Sequence, residues 1–108
     1  MDKRLLLSLS ACLVLTACSS APKHAHYQEA SFELCNAAVD IYSQSDDGRV
    51  RILCSDGSKF ALNTESTLDT MRDINIDYCH GEGLGKFNES SSYYSFKCKS
   101  GTLLSIAK

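Results

Sequence analysis

The chain has 108 residues, 44% of them apolar, with 11 Lys and Arg against 13 Asp and Glu, six cysteines and a single proline. A formal charge of −2 supplies no basic field for nucleic acid and no strongly acidic surface that would mimic it, so no nucleic-acid partner is expected. The length allows one small domain, and a chain this short buries limited surface and commonly needs cross-links.

The first residues read as an address. Asp2, Lys3 and Arg4 make a short polar start, and residues 5–17 are apolar or small throughout. As a helix that apolar run would span only about 20 Å, short of a bilayer core, and the charged, apolar and small-residue parts follow the order of a secretory signal. Its end, Leu15-Thr16-Ala17-Cys18, resembles the lipobox of bacterial lipoproteins. The resemblance implies a signal peptide over residues 1–17, cleavage before Cys18, alkylation of the Cys18 thiol with a diacylglyceride, and acylation of the freed amine by a fatty acid such as palmitate. Cys12 would leave with the signal. Ser19 and Ser20, where an Asp would favour inner-membrane retention, imply an outer-membrane protein with its domain facing the periplasm or the cell surface. Membrane attachment is then through the acyl chains, each buried CH₂ contributing about 0.8 kcal/mol. Residues 18–26 form the lipidated Cys and a polar tether in which Pro22 stops regular structure.

From Tyr27 to Tyr42 the apolar residues Tyr27, Ala30, Leu34, Ala37, Ala38 and Ile41 recur at steps of three and four, which predicts an amphipathic helix with Cys35 beside its stripe. "SQSDDG" breaks the pattern. Arg49 to Leu62 alternates, with Val50, Ile52 and Cys54 on one side, Arg49 and Arg51 on the other, a turn at Asp56-Gly57, and Phe60 and Leu62 returning. That is a β-hairpin. Asn63 to Gly81 predicts a second helix with Leu68, Met71, Ile74 or Asn75, and Tyr78 on its stripe. Residues 80–92, "HGEGLGKFNESSS", predict a long loop. Tyr93 to Ile106 is a second hairpin that places Tyr94, Phe96 and Cys98 inward and turns at Ser100-Gly101.

The expected fold is therefore α+β: helix, hairpin, helix, hairpin over residues 27–108, with a four-stranded antiparallel sheet, two helices on one face and two disulfides. Cys35, Cys54, Cys79 and Cys98 form an even set, and no CxxC or HxxxH pair seeds a zinc site. The steps from Cys35 to Cys54 and from Cys79 to Cys98 are equal, and "CSDGSKFAL" and "CKSGTLLSI" share the pattern of Cys, two polar residues, Gly, a polar residue and an apolar strand. This suggests two repeats, 27–62 and 68–106, and favours Cys35–Cys54 and Cys79–Cys98 as the bridges.

Little in the chain points to catalysis. His24 and His26 fall in the tether, His80 follows a cysteine expected to be bridged, and no nucleophile or acid–base set stands out, so the chain reads as non-enzymatic with no cofactor and no metal. "GEGLG" lacks the strand before it and the spacing of a dinucleotide loop. Asp69, Asp73 and Asp77 form an acidic stripe on one helix face, a candidate surface for a basic partner. Arg49, Arg51 and Tyr93 lie on the sheet face away from the helices, a mix suited to docking a protein. The function expected is a non-catalytic envelope lipoprotein that binds another envelope protein or serves as an accessory subunit. The alternative comes from "VRILCSDGSKFAL", which resembles the opening strand-turn-strand of small periplasmic inhibitors of lysozyme and implies inhibition of a cell-wall hydrolase, with residues 81–92 as the inserting loop.

Overall fold

A computed structural model describes residues 25–108. Cys12, Cys18 and the other signal, lipidation and tether positions up to residue 24 lie outside the described residues. Helix α1 covers residues 25–35, followed by β1 (Val39–Gln44), β2 (Val50–Cys54) and β3 (Lys59–Leu62). Helix α2 (Thr67–Cys79) comes next, then β4 (Leu84–Glu89), β5 (Tyr93–Cys98) and β6 (Leu103–Ala107). All six strands form one sheet in chain order. Every neighbouring pair is antiparallel except the central one, β3 with β4, which is parallel and is joined through α2.

The fold is α+β with two helices, but the four-stranded, wholly antiparallel sheet expected from the sequence is not what forms: the sheet has six strands and one parallel pair. Two segments make the difference. The first helix stops at Cys35 because Asn36 takes a left-handed φ of 46°, so it does not run on to Tyr42. The β-branched Val39 and Ile41 and the aromatic Tyr42 then suit a pleated strand better than a helix. Residues 84–89, expected within a loop, instead form β4 in the middle of the sheet.

The core lies between the sheet and the helices. Residues paired across strands share a face, so the register defines one continuous row: Tyr42, Ile52, Phe60, Phe87, Phe96 and Leu104. Its three phenylalanines are all buried, and each contributes roughly 1.5–3 kcal/mol on leaving water. Tyr27, Ala30 and Leu34 of α1 and Leu68, Met71 and Ile74 of α2 close over this row. Ala37, Ala38 and Ile41, which a longer helix would have turned inward, are not buried. Tyr78 is largely exposed and Cys79 takes the inward position at the end of α2.

Two disulfides fasten the helices to that face. Cys35 at the end of α1 bonds Cys54 at the end of β2, and Cys79 at the end of α2 bonds Cys98 at the end of β5. A shift of 44 positions carries each bridge onto the other. It also carries left-handed Asn36 onto left-handed His80, and positive-φ Gly57 onto Gly101. The bonds Gly57 N–H to Cys54 O and Cys54 N–H to Ser58 O recur as Gly101 N–H to Cys98 O and Cys98 N–H to Thr102 O. The chain thus builds helix-strand-strand-strand twice, and the parallel β3–β4 pair is where the two units meet.

Candidate functional site

The face of the sheet opposite the helices carries no covering element among the described residues. Register places its side chains in two rows. One runs Ile41, Leu53, Lys59, Lys86, Lys97 and Leu103 from β1 to β6, and the next runs Ser43, Arg51, Ala61, Asn88, Ser95 and Ser105. Three lysines therefore stand side by side on β3, β4 and β5. Directly opposed side chains on paired strands have Cβ atoms about 5 Å apart, and like charges there repel. No carboxylate occupies an outward strand position from β2 to β6. Among the described residues, Lys59, Lys86, Lys97 and Arg51 take part in none of the ion pairs.

A shallow concavity of about 400 Å³ opens on this face, lined by Ile41, Arg51, Leu53, Lys59, Lys86 and Asn88 among others. Its chemistry is mixed: an apolar side at β1 and β2, cations from β2, β3 and β4, and an amide. Such a surface can hold an anionic group against an apolar neighbour.

The acids lie elsewhere. Asp69, Asp73 and Asp77 are exposed on α2, beyond the core from the lysine row. The Asp69 carboxylate is bonded by His26 Nε2 of α1 at 2.7 Å, and Glu33 of α1 pairs with Arg72 of α2 at 2.9 Å. The carboxylates with perturbed ionisation sit in turns and at sheet ends. Hydrogen bonds from the Lys99 ammonium and from Ser58 hold Asp56 down to about 2. Bonding from Ser100 lowers Glu82, and bonding from the Ser45 hydroxyl and Arg49 N–H lowers Asp47. Burial raises Glu89, but Lys108, the Asn63 N–H and the Thr67 hydroxyl outweigh it and its carboxyl titrates below the usual range. Burial, with a bond to Glu65, pushes the Tyr42 hydroxyl up. Each of these groups closes a turn or ties strands to helices, and none faces the concavity. No group of three His, Cys, Asp or Glu side chains able to hold a metal occurs among the described residues.

The partner-binding candidates from the sequence are not brought together. Arg51 belongs to the open face and lines the concavity. Arg49 lies in the turn before β2 and pairs with Asp47 at 3.4 Å. Tyr93 is exposed at the start of β5, opposite Ala107, three strands away from Arg51. The acidic stripe is on the other side of the molecule, so a flat partner cannot meet it and Arg51 at once. Sequence reasoning missed Lys59, Lys86 and Lys97. Lys59 and Lys97 alternate with inward residues and were legible as outward. Lys86 was hidden because its strand was read as a loop.

No family model matches the chain, and no curated protein or solved structure matches it at a significant level.

Proposed function

We propose that this chain is a lipid-anchored envelope protein, attached through Cys18, whose open sheet face binds the acidic surface of a protein partner. The observation that carries the reading is the row Lys59, Lys86 and Lys97: three cations in adjacent register, without counter-ions, two of which line a concavity with an apolar side. Holding like charges opposite one another costs stability, and an anionic partner would turn that cost into attraction. The two disulfides support an oxidising compartment. No helix among the described residues is long and apolar enough to cross a membrane, so attachment in this reading rests on the acyl chains. The hydrolase-inhibitor alternative loses the loop it needed, since residues 84–89 are a central strand.

The test is photocrosslinking in intact cells, with benzoylphenylalanine at Asn88 on the open face or at Asp73 on α2. The reading expects a covalent protein adduct from position 88 that disappears when Lys59, Lys86 and Lys97 are changed to Glu. An adduct from position 73 alone, or one from position 88 indifferent to the charge reversal, would refute it.

A further inference from the structure

Among the described residues the sheet ends in two free edges, β1 and β6. We propose that these edges join between molecules: β6 of one copy pairs in parallel with β1 of a second copy, repeating the β3–β4 junction found inside each chain.

Strand direction allows it. With the antiparallel and parallel pairings observed, β1, β3, β4 and β6 all run the same way. Register can be read from the internal junction, where Lys59, Phe60 and Ala61 face Lys86, Phe87 and Asn88. The 44-residue shift carries Lys59-Phe60-Ala61 to Leu103-Leu104-Ser105. On the other side, Lys86, Phe87 and Asn88 face Lys97, Phe96 and Ser95 just as Ile41, Tyr42 and Ser43 face Leu53, Ile52 and Arg51. Between copies, Leu103 then meets Ile41, Leu104 meets Tyr42 and Ser105 meets Ser43.

The residues fit that role. Leu103 is 69% exposed and Ile41 51%, two large apolar side chains left in water at the positions where the internal junction carries lysines. On the helix side, Phe60 and Phe87 are 2% and 1% exposed, whereas their counterparts Leu104 and Tyr42 are only partly buried. Each edge is an unfinished half of the internal junction. β6 carries none of the devices that usually blunt free edges, holding no charge and no proline, and β1 carries only a single charge, Asp40, within a register shift. β4 has a register shift at the matching place, between Leu84 and Lys86, and still pairs with β3. Beside the new junction, α1 of the second copy would lie against α2, as α1 and α2 already touch through Glu33 and Arg72. The contact uses different surfaces on the two copies, so it leaves a free edge at each end and does not stop at a closed two-fold dimer.

The oxidised full chain, purified in mild detergent, tests this with benzoylphenylalanine at Leu103 in an equal mixture of isotopically heavy and light protein. Heavy–light adducts joining position 103 to the peptide containing Ile41 are expected, with a sedimentation mass that rises with concentration. Leu103→Lys or Ile41→Asp alone should weaken association about tenfold or more, and the double variant should restore it, because the two new charges then face each other. Both positions are exposed, and unchanged thermal unfolding of each variant checks the fold. A chain that stays monomeric at concentrations on the order of 100 μM, adducts from position 103 to β6 of the other copy, or no rescue in the double variant would each overturn the proposal.

Discussion

Lys99, in the turn after β5, donates to Asp56, in the turn after β2, so the second helix-strand-strand-strand unit grips the first at the end of the sheet. The same ammonium donates to Ser58 Oγ at 2.7 Å. Asp56 has its pKa lowered to about 2, so its contribution is present above the unfolded value and is lost as pH falls through the folded one. Stability should therefore decline from about pH 4 towards pH 2. Asp56→Asn should flatten that part of the profile in urea titrations across the window, and Glu89→Gln, removing another lowered carboxylate that spans elements, should flatten its upper part.

Relief of the lysine row should stabilise the fold. Lys86 lies between Lys59 and Lys97, and Lys86→Thr replaces it with a good strand former. The expected gain is a few tenths to about 1 kcal/mol at low salt, shrinking as added salt screens the parent protein's repulsion. Equilibrium unfolding of both proteins at two ionic strengths measures it. A gain independent of salt would mean that strand propensity alone, and not charge, is being read.

At Gly83 the backbone of the second unit passes tightly against the end of α1 in the first. A Cβ built there would stand 2.9 Å from the Leu34 carbonyl oxygen and 3.0 Å from Asn36 Cβ, and the φ of 96° already disfavours a side chain. Its N–H donates to the buried Asn75 Oδ1 at 2.9 Å. Gly83→Ala should cost about 2–3 kcal/mol. Gly81→Ala, with a positive φ but open space around it, should cost only about 1–2 kcal/mol. The difference between the two, from chemical denaturation, isolates the close approach from the backbone preference.

Gly83 also explains why part of the fold was not legible. Gly81, Gly83 and Gly85 lie close together and read as a loop, yet Gly83 is there for a backbone contact with α1, and Gly85 lies inside β4. Nothing local distinguishes a glycine placed for a distant carbonyl from one placed for a turn. Val39 to Gln44 failed differently. Ala37, Ala38 and Ile41 continue a helical spacing, and only left-handed Asn36 ends it. The hairpins 50–62 and 93–106 were legible because strict alternation and a Gly turn are local signals. The cysteine pairing was legible because two equal spacings can be compared within one chain. The lysine row needed the register of three strands, one of them joined by a parallel crossover, which composition and periodicity do not encode.

The two disulfides should differ in what their loss does, although each spans 19 positions and would contribute roughly 3 kcal/mol by chain entropy. Helix α2 is held on both sides by its links to β3 and β4, whereas α1 joins the described sheet on one side only, through residues 36–38. Without Cys35–Cys54, α1 can leave the sheet while β2 to β6 stay paired, exposing the core that Tyr27, Ala30 and Leu34 close over. Without Cys79–Cys98, α2 cannot leave without disturbing the central β3–β4 pair. Cys35→Ala/Cys54→Ala should therefore speed hydrogen exchange in α1 far more than in β4 and β5, through opening of that helix alone. Cys79→Ala/Cys98→Ala should speed exchange in α2 and the central strands together and lower the global unfolding free energy by about 3 kcal/mol. Equal acceleration across all elements in both variants would show that the two units unfold as one.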